Sequence, residues 1–348
     1  MATMKALVLN GAYDFSLVDR EIPQPAPNEV LIKIMAAGIC GTDVHIYHGN
    51  ASDGNTAKLP VILGHEVSGE VVALGSAVTS LKVGDRVTVD PNVYCGYCEF
   101  CRSNNIHLCK NNSCFGITAD GGFAQYGVIH ENFAYKLPDE VSWLEGAMIE
   151  PAACCLHGAD LAKYVTGDSV LIHGAGAIGN FHIQFAKLRG VSTIIVSDPI
   201  ASRRELALKM GADYVFDPLT QNLYEEVRKI LPDGPRVIMD CSGRPDVVEE
   251  SIRQVRFGGT VVLFGICPSE CEIKINPSYV NGREITICGS YDYINAHQPS
   301  IDAIANKRLS VHPLISHVFA LEDYEKAFAT FGTKDSMKIV ITPNGPVE

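Results

Sequence analysis

The stretch that most narrows the fold runs from Ser169 to Gly179. Ser169–His173 reads as a buried strand, and Gly174-Ala175-Gly176-Ala177-Ile178-Gly179 follows it, opening a helix with an apolar face. A bare G-x-G-x-x-G is weak evidence, but with a strand before it and a helix after it the pattern has its required context. The first two glycines permit a tight turn and close approach to a pyrophosphate, and the third lets helix and strand pack. Alternation of strand and helix continues through Thr193–Ser197, Tyr214–Phe216, Val237–Cys241, Thr260–Gly265 and Glu284–Cys288, with helical patterns such as Leu223–Ile230 and Val247–Val255. This rhythm predicts an α/β, doubly wound parallel sheet of the Rossmann kind. Asp198 ends the second strand, nineteen residues past Gly179. A carboxylate there accepts from both ribose hydroxyls and repels a 2′-phosphate, favouring NAD over NADP. Arg203 and Arg204 pull the other way, since an arginine nearby can accommodate that phosphate. Ala177, Ile178, Arg203, Gly265 and Ile266 complete the expected cofactor set.

At 348 residues the chain exceeds what one core usually serves, so two domains are expected. A net charge of −12 argues against nucleic acid or an anionic membrane surface as partner, because both need a basic footprint. No run reaches the length of a membrane span, and Met1 through Val8 is too short an apolar run for a signal peptide. The twelve cysteines therefore read as metal ligands and reduced thiols in a cytoplasmic protein, rather than as disulfides.

The first 140 residues read as short strands: Lys5–Leu9, Val30–Met35, Val67–Leu74 and Arg86–Val89, each bounded by Gly, Pro, Asn or Asp. Two clusters of soft ligands lie among them. Gly38-Ile39-Cys40-Gly41-Thr42-Asp43-Val44-His45 follows one strand, and Leu63-Gly64-His65-Glu66 stands at the mouth of the next. Thiolate, imidazole and carboxylate are ligands for a borderline-soft divalent metal such as zinc. Cys95, Cys98, Cys101 and Cys109 form C-x2-C-x2-C-x7-C in a loop of little apolar content. Four thiolates at this spacing close a tetrahedral shell, which makes the zinc structural. An iron–sulfur cluster or coincidental thiols are the alternatives, and the loop has too little positive charge for a nucleic-acid ribbon. Further on, Ser142-Trp143-Leu144-Glu145 is a capping-box start. Glu150-Pro151 then predicts a second helix with the proline in its first turn and Glu150 just before it. Glu150 reads either as a carboxylate directed at a metal or as a charge complementing a helix dipole.

Taken together, Gly-Ile-Cys-Gly-Thr-Asp-x-His, Gly-His-Glu and the four-cysteine lobe resemble the zinc-containing medium-chain alcohol/polyol dehydrogenases. The resemblance covers essentially the whole chain. It implies a discontinuous, β-rich GroES-like catalytic domain over residues 1–155, with the structural-zinc lobe at 91–112. A Rossmann domain over 156–289 follows, and 290–348 return to the first domain through a helix near Ile301–Lys307 and a late strand near Met337–Ile341. It also implies two zincs per chain, the catalytic one in a cleft between the halves. Cys40 and His65 are its expected ligands, with Glu66, Glu150 and a water trading the remaining places. Thr42 and His45 resemble the family's proton relay. Cys154 and Cys155 read as helix residues near the cofactor. Glu150, where liver-type enzymes carry a cysteine, makes a polyol, vicinal diol or amino alcohol the expected small-molecule substrate. The sorbitol-type Arg-Tyr pair is replaced by Asp292-Tyr293, which puts sorbitol itself in doubt. A threonine-type or butanediol-type dehydrogenase is the alternative enzyme, and a catalytically inactive zinc- and nucleotide-binding relative is the alternative without chemistry. Relatives imply a homodimer or homotetramer.

Overall fold

The computed structural model describes residues 2–50 and 57–347. The chain divides into two compact units: Met1–Ala153 with Ile294–Lys307 and Val311–Glu348, and Cys154–Tyr293 with Arg308–Ser310.

The first unit is built on two main sheets, with a two-stranded one of Asn92–Val93 and Ser113–Cys114 beside them. Thr3–Gly11 pairs antiparallel with Asp14–Glu21 and with Val61–Ile62. A larger sheet runs in the order Ala134–Lys136, Arg86–Val89, Glu66–Leu74, Glu29–Ile39, Lys338–Thr342 and Ile315–Ala320, and Tyr126–His130 also pairs with Glu29–Ile39. The central strand, Glu29–Ile39, is buried over most of its length, as a strand flanked on both edges must be. Leu7, Leu9, Ile32, Ile34, Ile39, Leu63 and Phe123 form its fully buried core. Register across that strand sets which side chains meet. Gly38 lies opposite Glu66 on one side and Val340 on the other. The chain's last strand thus reaches the metal motifs of its first hundred residues through a ladder hydrogen-bonded to the same central strand.

The second unit is a six-stranded, wholly parallel sheet in the order Tyr214–Phe216, Thr193–Ser197, Ser169–His173, Val237–Asp240, Thr260–Leu263, Thr286–Gly289. That order is third, second, first, fourth, fifth, sixth, the doubly wound arrangement whose crossover lies beside the first strand. Gly174 has φ of +93°, in the left-handed region open to glycine. A Cβ on Gly179 would sit 1.9 Å from the Gly174 carbonyl oxygen, so the helix Ala177–Leu188 packs this closely only because residue 179 has no side chain.

The junction departs from the sequence reading. Ser142 caps Trp143–Gly146 with a reciprocal Ser142–Glu145 box as expected, but Glu150 does not precede the next helix. That helix is Ile149–Ala162, so Glu150 and Pro151 both lie in its first turn, where the proline ring costs no intrahelical hydrogen bond.

Candidate active site

Cys40 is the N-cap of a seven-residue helix, Gly41–Tyr47. Asp43, three residues into it and fully buried, turns its carboxylate back on the motif. Oδ2 accepts the Cys40 backbone N–H at 2.9 Å and Oδ1 accepts the Gly64 N–H at 3.2 Å. The same Oδ1 faces His65 Nδ1 at 3.5 Å. One carboxylate therefore ties together two segments 25 residues apart. Burial pushes the His65 ring toward neutrality, but Asp43 and then Cys40 outweigh it and hold its pKa well above the ordinary value. The pocket favours positive charge at this point.

Ligand atoms of Cys40, His65 and Glu66 all lie within 4.8 Å of one another. Glu66 Oε2 is buried with no hydrogen-bond partner, which is costly for a carboxylate oxygen unless a cation completes its environment. The three side chains fit a divalent metal by chemistry and by spacing. Glu150 is buried but stands outside this group. It lies close enough to bear electrostatically on Lys338, whose ammonium pairs with Glu66 Oε1. Burial works to neutralise Lys338, while Glu66, then Cys40 and Glu150 together raise its pKa above the usual lysine value. Asp43 and Lys338 are the two residues around the ligands to which the sequence reading gives no role. Asp43 has a signal, a carboxylate three residues after the capping position. Lys338, 272 residues from its partner, has none beyond being a cation at the head of an apolar strand.

The second ligand set is Cys95, Cys98, Cys101 and Cys109, all free thiols and mutually close. Sulfur separations are 3.5 Å for Cys98–Cys101, 3.9 Å for Cys95–Cys101 and 4.0 Å for Cys98–Cys109. A tetrahedron with Zn–S bonds of about 2.3 Å has edges of about 3.8 Å. The sulfurs are thus already spaced for one four-sulfur metal. Desolvation raises the Cys95 thiol, but the N–H groups of Tyr97 and Cys98 aimed at its sulfur outweigh it and bring the pKa to about 6. Cys101 is pushed to about 12, first by desolvation and then by hydrogen bonding with Cys98. Cys95 is therefore a thiolate at neutral pH, the form of cysteine that binds a metal.

In the parallel unit, Asp198 is buried at the end of its strand, with Oδ2 accepting the Ala175 N–H at 2.8 Å and Oδ1 the Ile200 N–H at 2.8 Å. Its carboxylate is locked to the glycine turn. A Cβ on Gly176 would meet no protein atom, so that face of the turn is left open to a ligand's approach. Arg204 is drawn away, donating to the Asp198 carbonyl and pairing with Asp217 at 3.3 Å, while Arg203 is half-buried. Gly265 donates its N–H to the Asp240 carbonyl at 2.7 Å, and Ile266 beside it is exposed. Tyr293 is buried, and Asp292 has φ of +55°, a conformation uncommon outside glycine. Thr42 and His45 both lie half-buried on the short helix that Cys40 caps.

A 3-2-1-4-5-6 parallel sheet with a glycine turn, carried in one chain with two thiol-containing ligand sets, defines a metal-dependent oxidoreductase of the dinucleotide-binding kind. Comparison with known proteins agrees. Residues 26–139 match the alcohol dehydrogenase GroES-like domain, and residues 177–306 match the zinc-binding dehydrogenase domain. Sorbitol dehydrogenase of Gallus gallus is 36% identical over 97% of this chain and 95% of its own length. L-threonine 3-dehydrogenase of Thermococcus kodakarensis is 36% identical over 96% of each. Among solved structures, a Sinorhizobium meliloti 1021 protein bound to NADP has a TM-score of 0.95 at 35% identity, covering 99% of this chain and all of that one. The chain belongs to the zinc-containing medium-chain alcohol/polyol dehydrogenases.

Proposed function

We propose that the chain oxidises a polyol or other secondary alcohol to the ketone, passing hydride to NAD, with one catalytic and one structural zinc per chain. The convergence of Cys40, His65 and Glu66 ligand atoms within 4.8 Å carries this reading. Bound there, zinc supplies the Lewis acidity that brings an alcohol's pKa toward neutrality. The protein's own contribution is orientation. Asp43 holds the Cys40 and Gly64 backbones and faces His65 Nδ1, leaving Nε2 as the nitrogen for the metal. Bound in the parallel unit, the nicotinamide would supply the hydride acceptor for the carbinol carbon. Thr42 Oγ1 would take up the hydroxyl proton and His45 would pass it outward. Glu150, in the first helical turn and near Lys338, serves as an exchangeable fourth ligand. Asp292 and Tyr293 are the proposed substrate contacts, and Gly174, Gly176, Gly179, Asp198, Arg203, Gly265 and Ile266 the proposed cofactor contacts. The proposal extends to a cytoplasmic homodimer or homotetramer, which light scattering on the purified protein measures. Among the described residues no helix is long and apolar enough to cross a membrane.

A threonine-type reading has equal support from similarity, since the threonine and sorbitol dehydrogenase relatives are each 36% identical. Steady-state rates with xylitol, sorbitol, arabinitol, 2,3-butanediol and threonine separate them, and NAD reduction by threonine alone sinks the polyol reading. Metal analysis should return two zincs per chain. One zinc would support the lobe only and favour an inactive relative.

The choice of NAD rests on Asp198, against an NADP-bound structural neighbour. Asp198→Ala removes both the acceptor for the ribose hydroxyls and the charge that repels a 2′-phosphate. We expect kcat/KM with NAD to fall by roughly 100-fold, about 2.7 kcal/mol of transition-state stabilisation, while that with NADP rises. A wild-type enzyme that already prefers NADP would overturn this assignment.

A further inference from the structure

The buried pair Lys338–Glu66 is built by three strands rather than by two neighbours. Lys338 heads Lys338–Thr342, Glu66 heads Glu66–Leu74, and Glu29–Ile39 runs between them. The register Val340↔Gly38↔Glu66 places Lys338, two residues before Val340, where its side chain reaches across the central strand to the Glu66 carboxylate that lies over Gly38. Any side chain there would fill the gap, since a Cβ on Gly38 would lie 2.1 Å from Glu66 Oε2. The ammonium takes Oε1, and Oε2 is left buried without a hydrogen bond. Both partners are almost fully enclosed, with side-chain exposures of 8% and 1%. Besides the Glu66 it pairs with, Lys338 stands close enough to Cys40 and Glu150 to feel their charge, so its ammonium faces the ligand group rather than one isolated carboxylate.

We propose that Lys338 is a positioning residue for the metal: by gripping Oε1 across the gap at Gly38, it limits Glu66 to one-oxygen, reversible engagement and keeps the metal electrophilic. The proposal rests on the catalytic-zinc reading above. Without the ammonium, Glu66 is free to offer both oxygens and the site becomes one charge more negative. The metal is then bound more tightly but acidifies an alcohol less. A purely structural ion pair predicts the opposite for the metal, because losing it would loosen the site.

Lys338→Met, Lys338→Arg and the double variant Lys338→Met/Glu66→Gln test this in the intact chain. Zinc release to a chelator, the visible spectrum after Co²⁺ replacement, and the pH profile of kcat are the readouts. For Lys338→Met we expect zinc release at least tenfold slower, Co²⁺ bands weakened toward higher coordination, and the acidic limb of kcat displaced upward by about one pH unit or more. Lys338→Arg should retain the wild-type limb, and the double variant, which restores the charge balance, should return release rate and limb toward wild type. If Lys338→Met does not fold, the double variant, which leaves no unpaired buried charge, carries the comparison with wild type and Glu66→Gln. Faster zinc release with an unmoved pH limb would overturn the proposal and leave the ion pair structural. A wild-type chain holding zinc in the cysteine lobe alone would instead overturn the catalytic-site reading, and this proposal with it.

Discussion

Cys40→Ser is expected to lower kcat by about a thousandfold or more while leaving the thermal midpoint within a few degrees of wild type. The two halves of that expectation have separate causes. A serine hydroxyl stays protonated at neutral pH and is a hard, weak ligand, so the site loses its only thiolate and with it the soft anchor that selects zinc. A metal that is lost, or held by His65 and Glu66 alone, cannot stabilise the developing alkoxide. A thousandfold corresponds to about 4 kcal/mol, the scale of Lewis-acid stabilisation. The fold has little reason to respond. Cys40 is the N-cap of Gly41–Tyr47, and the Asp43 carboxylate accepts its backbone N–H, a contact indifferent to the side chain. Serine is, if anything, the better capping residue. Zinc content should fall from two per chain to one, with the lobe retained. Full activity in this variant would show that the chemistry happens elsewhere.

The parallel sheet was the most legible part of the chain in its sequence, and the reason is physical. Strands buried on both faces must be short apolar runs closed by Gly or Asp, and Ser169–His173 and Thr193–Ser197 fall where that pattern puts them, as does the partly exposed edge strand Tyr214–Phe216. Val237–Asp240 and Thr260–Leu263 end one and two residues early, and Thr286–Gly289 starts two residues late, because helix and strand ends are set by tertiary contacts more than by composition. The ligand set was readable for a different reason: thiols, imidazole and carboxylates at strand mouths are rare enough in combination to stand out.

The features hidden from the sequence are non-local or too short to be periodic. Asp14–Glu21 is a partly exposed edge strand whose pattern is half polar. The seven residues of Gly41–Tyr47 make less than two turns, too few for an apolar stripe to show. Glu150 falls inside the helix rather than ahead of it because proline fits equally well just inside a helix start or a residue or two further in. Lys338 could not be assigned at all. Its partner is brought to it by register across Glu29–Ile39, and a register is a property of three strands, visible in none of them singly.

Cys98→Ser makes the complementary prediction, a loss of stability with the catalytic site spared. The lobe has almost nothing else to hold it. Its regular structure is one turn at Glu99–Arg102, a 3-10 turn at Ile106–Leu108 and a two-residue pairing of Asn92–Val93 with Ser113–Cys114. Between Cys95 and Cys109 no large apolar side chain is fully buried: Tyr97 and Leu108 face solvent at 64% and 43% exposure, and Phe100 and Ile106 are half-buried. Burial contributes little to such a segment, so the four sulfurs and their metal supply most of its bracing. Structural zinc in comparable small modules contributes of the order of 10 kcal/mol to folding, and removing one of four thiolates forfeits a large part of it. The expected results are loss of one zinc per chain, new protease cleavage between Cys95 and Cys109, and a fall of several degrees in the thermal midpoint. Below that midpoint, kcat should stay within about tenfold of wild type, because Cys40, His65 and Glu66 form a ligand group separate from the lobe's four sulfurs. Limited proteolysis read by mass spectrometry separates this from global destabilisation, which would expose the parallel unit to cleavage as readily as the lobe. An unchanged midpoint with one zinc lost would mean that the lobe's thiols bind metal without bracing the fold.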